Sequence, residues 1–197
     1  MHPQPLQPSL IVVPGPGCES FITSDLLPTF ELEGFSAIMN VTFVPYGNAK
    51  IDLNAKTVTC QHGEVECDGN TWEQCAIYKN PSNSDHLPFV GCLASKSSAE
   101  LGTEKAYEDC ASAAGLDFNA LKACHGDAGL AWDLQVAASV ATPADHQYTP
   151  WVVIDGVLFE TRDFKKAVCD AYNGDDKPEG CGKRYEEVED LRSSNKW

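Results

Sequence analysis

Sulfur is the chemistry this sequence offers most plainly. Nine cysteines occur in 197 residues, at Cys18, Cys60, Cys67, Cys75, Cys92, Cys110, Cys124, Cys169 and Cys181. Thiols at this density staple a chain as disulfides, ligate a metal or carry out thiol–disulfide exchange, and a reducing cytosol does not sustain the first of these. No two of them stand at the Cys-x-x-Cys spacing that opens most structural zinc sites. His62, between Cys60 and Cys67, reads more simply as a surface or hydrogen-bonded loop residue than as a ligand. No metal and no cofactor are therefore expected. The simplest account is four disulfides and one remaining thiol, each bridge adding roughly 2–4 kcal/mol. Cys60, Cys67 and Cys75 fall close together and read as partners that shape a loop. The spacing does not select a connectivity.

Other reactive patterns are missing. The sequence contains no His-Glu-x-x-His, no Gly-x-Ser-x-Gly and no Gly-x-x-x-x-Gly-Lys motif. A formal net charge of -15 argues against nucleic acid and against anionic membrane surfaces, since both need Lys and Arg. The apolar runs are too short for a membrane span. Asn40-Val41-Thr42 is an acceptor sequon for N-glycosylation. The polar, proline-rich start, Met1 to Pro8, has no apolar h-region, which suggests a mature secretory protein whose signal peptide has been removed.

The elements that would position these residues can be read in order. Leu10 to Val13 is a short buried strand, stopped by Pro14-Gly15-Pro16-Gly17 with Cys18 directly after it. Phe21, Ile22, Leu26, Leu27 and Phe30 then fall at helical spacing, with Pro28 bending or ending the helix. Ala37 to Val44 is a second strand with Asn40 and Thr42 on one face. Residues 48–91 have little periodicity and read as a stapled loop region. Helices are expected over Ala99 to Ala114, Leu116 to Cys124 and Leu130 to Val140, with Gly115 and Gly126 as C-caps. Asp155-Gly156, between Trp151-Val152-Val153-Ile154 and Val157-Leu158-Phe159, is a hairpin signal. Asp163 to Tyr172 is a last helix. The order predicts an α/β protein: one domain over residues 1–182 with a helical insertion at about 99–142, and a charged tail, 183–197, that frays.

The most specific feature is Cys60-Gln61-His62-Gly63-Glu64-Val65-Glu66-Cys67-Asp68-Gly69-Asn70, completed by Cys75. It matches without a gap the CQHG-x2-EC-x2-N-x4-C signature of the gamma-interferon-inducible lysosomal thiol reductase family. Leu26-Leu27-Pro28-Thr29-Phe30 resembles the family's helix after its active-site motif, and Thr149-Pro150-Trp151-Val152 its segment before the hairpin. The resemblance runs from about Leu10 to Cys181. Nothing in the sequence derives why Gln61, Glu66 and Asn70 hold their places; hydrogen bonding within the loop is the expectation.

This resemblance implies a thioredoxin-like fold with an inserted helical subdomain and several disulfides, and reduction of protein disulfides in endosomes or lysosomes. The family's chemistry sits in a Cys-x-x-Cys motif at the first helix N-terminus. There the first cysteine is activated by the helix dipole and attacks, and the second resolves the mixed disulfide. The corresponding residues here are Gly15-Pro16-Gly17-Cys18. Cys18 matches the resolving cysteine, Gly15 stands at the position of the nucleophile, and the other eight cysteines are left as the disulfide set. A glycine has no attacking group, so the two-cysteine cycle is expected to be absent, leaving a protein or peptide binder. The alternative is a thiol oxidoreductase working through Cys18 alone. Pro150 matches the family's cis-proline, and Thr149 before it would dock an extended peptide by strand addition.

Overall fold

The computed structural model describes residues 9–13, 18–160 and 162–182. Gly15, the polar N-terminal stretch and the charged tail 183–197 lie outside the described residues.

Strand β1 (Ser9–Val13) is built from β-branched and apolar residues and runs through the middle of a sheet. It pairs in parallel with β2 (Asn40–Phe43) and antiparallel with β5 (Trp151–Ile154), which turns into β6 (Val157–Leu158), giving the order β2-β1-β5-β6. Asp155 and Gly156 make that turn with φ of 47° and 77°, the positive pair a tight hairpin needs. Alternation along the strands sends Leu10, Val12, Val41, Phe43, Val152 and Ile154 to one face, where they meet Phe21, Leu26 and Phe164 in the main core. Ile11, Val153 and Trp151 belong to a smaller cluster that includes Ala138. Both faces are covered, as a sheet with parallel pairing requires.

The chain between β1 and β2 is helical in three parts: α1 (Glu19–Phe21), a π turn (Ile22–Leu26) and α2 (Leu27–Phe30). Pro28 cannot donate a backbone hydrogen bond, and the wider π turn lies directly before the segment that contains it. At the free edge of β2, Asn83 stands in for a further strand. Its Oδ1 accepts from Val41 N at 2.9 Å, and its Nδ2 donates to Val41 O at 2.7 Å.

Residues 48–91 are not a loop region. They form a two-stranded hairpin, β3 (Lys50–Asp52) and β4 (Thr57–Thr59), then α3 (Glu64–Lys79) and α4 (Asn83–Ala94). The pattern hid α3 because its buried positions include Asn70 and Gln74, which break an apolar period, while α4 holds Pro88 and Gly91. Gly91 is needed for close packing, since a Cβ there would overlap Leu27 Cδ1.

The helix expected over Ala99 to Ala114 is broken at Gly102-Thr103 into α5 (Ser98–Leu101), closed by a Ser97–Glu100 capping box, and α6 (Glu104–Ala113). Gly115, at φ 71°, follows α6 as a C-cap glycine should. Gly126, by contrast, is the last residue of α7 (Phe118–Gly126), and Asp127 both ends that helix and N-caps α8 (Ala128–Ala141). Helix α9 (Phe164–Ala171) follows the Asp163 N-cap. Helices α3, α4, α6 and α7 enclose a second core of Trp72, Phe89, Leu93, Tyr107 and Leu121.

Four disulfides are formed: Cys60–Cys67, Cys75–Cys124, Cys92–Cys110 and Cys169–Cys181. The second joins α3 to α7 and the third α4 to α6, so both hold the second core. The fourth ties α9 to the turn Glu179–Cys181. Cys18 lies outside these pairs.

Candidate functional site

The register of the sheet sets the ends of β1 and β5 side by side. Val13, the last residue of β1, is opposite Trp151, the first of β5. The C-terminal end of β1 and the N-terminal end of β5 therefore lie at one end of the sheet. Cys18 is the N-cap of α1, and its sulfur-bearing side chain is buried, with 1% exposure. The Thr149–Pro150 peptide bond is cis. Both of its residues are partly buried, and the exposed ring of Tyr148 stands against Trp151 at 5.0 Å between centroids. Asn40 of the sequon is exposed at the start of β2.

The signature segment, read as a loop, instead joins β4 to α3 and forms the first turns of that helix. Gly63 holds φ 89° at the N-cap, where a side chain would be strained. Its hydrogen bonds answer the question the sequence left open. Asn48 Nδ2 donates to Gln61 Oε1 at 2.7 Å, and Asn70 Nδ2 donates to the Tyr46 carbonyl at 3.4 Å. Next to Asn70's turn, Gln74 Nε2 donates to the Pro45 carbonyl at 2.7 Å. Two of the three unexplained positions therefore bond outside the segment and fasten it to the turn after β2. Glu66 alone bonds within it: the His62 N–H donates to Glu66 Oε2 at 2.6 Å, and His62 Nδ1 lies 3.2 Å from the same oxygen. Cys60–Cys67 closes the same corner. His62 is half-exposed, and among the described residues no group of three His, Cys, Asp or Glu side chains could hold a metal.

Between α1 and this segment lies a cavity of about 340 Å³. Glu19 and Ile22 face it from the first helical segment, Glu66 and Glu73 from α3, and Leu93 from α4. The spacing 66, 69, 70, 73 puts one face of α3 along it. Burial pushes the Glu73 carboxyl up to about 8, because a charge there loses hydration without a paired cation. The larger cavity, of about 840 Å³, lies on the other side of α3, between Cys60, Cys67, Trp132 and Gln135.

The profile of the family described as "Gamma interferon inducible lysosomal thiol reductase (GILT)" matches residues 12–114. This chain belongs to that family. It is 35% identical over 181 residues to the "Gamma-interferon-inducible lysosomal thiol reductase" of Carassius auratus, covering 85% of this chain and 68% of that protein. It is 32% identical over 166 residues to the "Gamma-interferon-responsive lysosomal thiol protein" of Arabidopsis thaliana, covering 81% and 67%. Among solved structures, Chlamydia trachomatis DsbA superposes with a TM-score of 0.50 at 13% identity, covering 94% of this chain and 87% of that one. The fold is thioredoxin-like with several disulfides, as a GILT scaffold should be.

Sequence reasoning singled out Cys18, Thr149 and Pro150 through the family resemblance and found the signature. It missed the wall of carboxylates beside α1. The signal was present in the i, i+4, i+7 spacing of Glu66, Asn70 and Glu73, but only after α3 is known to be a helix does that spacing mean a shared face. Among the described residues no helix is long and apolar enough to cross a membrane.

Proposed function

We propose that this chain is a redox-degenerate GILT protein, which binds a protein or peptide partner without reducing its disulfides. One observation carries the reading: Gly15 occupies the position of the attacking cysteine, and the cysteine that is left, Cys18, is 1% exposed. Thiol–disulfide exchange needs a thiolate that can approach a substrate sulfur. Glycine has no sulfur, and a buried Cys18 offers no path to one. The binding half of the site is supported by the place of Thr149 and Pro150, directly before β5, and by their resemblance to the family's segment before the hairpin. An extended peptide would pair there with the backbone of Thr149. Four disulfides and the exposed sequon at Asn40 favour an oxidising route to a lysosomal or extracellular destination, with Asn40 glycosylated.

The deciding assay is reduction of insulin disulfides by the purified chain, at acidic and at neutral pH with a small-thiol reductant. The expected rate is that of the reductant alone. Repeated turnover at a rate comparable with a dithiol reductase, lost in Cys18→Ser, would return the chain to the working thiol oxidoreductases.

A further inference from the structure

The cavity between α1 and α3 carries a polar imbalance among the described residues. Among the described residues three acidic side chains line it, Glu19, Glu66 and Glu73, with no Lys or Arg; His62 is the one cationisable residue of that lining. The Glu66 side chain is only 4% exposed. Its Oε2 is engaged by His62, but its Oε1 is buried with no hydrogen-bond partner among the described residues. A buried carboxylate oxygen left without a donor loses its hydration for nothing in return. Gly69 lies one turn further along the same face and leaves the groove open, and Val65, Ile22, Leu93 and Leu101 supply apolar wall.

We infer that this cavity binds the side chain of a lysine presented by a polypeptide partner, with its ammonium on Glu66 Oε1 and its methylene stem along Leu93 and Leu101. A volume of about 340 Å³ admits such a side chain with room left for water, at the lower end of the roughly 300–1,000 Å³ typical of ligand pockets. An acidic end and apolar walls match the two halves of an alkylammonium group. The free acceptor is one oxygen, not two. That favours the compact ammonium over a guanidinium, which gains most from a bidentate carboxylate. The raised Glu73 carboxyl agrees with a poorly hydrated site. The inference stands on this cavity and does not require Cys18 to be inert: the insulin assay and the binding test below can fail separately.

The test is a titration of the full chain, at neutral pH, with n-pentylammonium, followed by backbone amide shifts in 15N–1H spectra. Saturable shifts are expected at Gly69, Asn70, Leu93 and Ser98. Binding of 1-pentanol and of n-butylguanidinium should each be at least about tenfold weaker, which corresponds to about 1.4 kcal/mol. Glu66→Gln retains an acceptor for the His62 N–H and should weaken the amine at least about tenfold. Ser98→Trp, a change at an exposed position on the cavity wall, should abolish the shifts even if Glu66→Gln folds poorly. Equal affinity for pentanol and pentylammonium, shifts spread over the acidic surface, or amine binding that survives Ser98→Trp would overturn the assignment.

Discussion

The two halves of this molecule treat sulfur in opposite ways. At the sheet end where the first helix begins, one cysteine lies buried outside the disulfides, beside a glycine in sequence where a second would be expected. In the helical half, five cysteines of α3, α4, α6 and α7 and one just before α3 are locked into three disulfides, two of which hold a separate core. The first region holds an N-cap cysteine, Cys18, and the cis Thr149–Pro150 bond. In the second, polar residues are fastened to their neighbours one by one. The carbonyls of Pro45 and Tyr46 that receive Gln74 and Asn70 belong to the turn after β2, a segment distinct from the one that holds Cys18.

That contrast can be broken most forcefully in the helical half. Cys75–Cys124 closes a span of 49 residues, and loop-closure entropy assigns such a bridge about 4 kcal/mol. The Cys75→Ala, Cys124→Ala double variant should lose about that much stability in urea unfolding; a loss below about 1 kcal/mol would mean that the second core stands without its staple. In the sheet half, Gly15→Cys should give insulin reduction at least about a hundredfold above the parent chain, equivalent to about 2.7 kcal/mol. No gain would show that the frame has lost more than one atom. Where the halves touch, Gly91→Ala pushes a methyl into Leu27. It should cost about 1–3 kcal/mol, measured as a lower Tm.

The smallest effect concerns pH. Glu73 is held at about 8 in the folded chain against 4.5 for a free carboxyl, so the folded state binds the extra proton between those values. Stability from this group is present in acid and is lost as pH rises from about 4.5 towards 8. His86 has the opposite sign. Burial lowers it, so it costs stability once the pH falls below the free value of 6.5. Glu73→Gln should raise stability by about 1 kcal/mol at neutral pH, after allowance for partial exposure, and by less in acid. A gain independent of pH would show that Glu73 is not the titrating group.

Much of the sheet was legible because its strands obey a period of two with little interference. Asn40 and Thr42 are exposed while Val41 and Phe43 are buried, as their alternation requires. Asp155-Gly156 announced its turn, since few other pairs accept two positive φ values. Helix α3 was not legible, because Asn70 and Gln74 are buried for the sake of backbone acceptors distant in sequence. A period of apolar residues cannot report a polar side chain whose partner is supplied by another segment.

By itself, the sequence determined the family, through an ungapped run from Cys60 to Cys75, and that glycine is the residue at position 15. Both are statements of residue identity, and identity needs no geometry. Only the tertiary structure decided which cysteines join, that Glu66 and Glu73 share a wall with the first helical segment, and that one oxygen of Glu66 is left over. Those are matters of distance between residues far apart along the chain, and distance is set by packing rather than by local pattern.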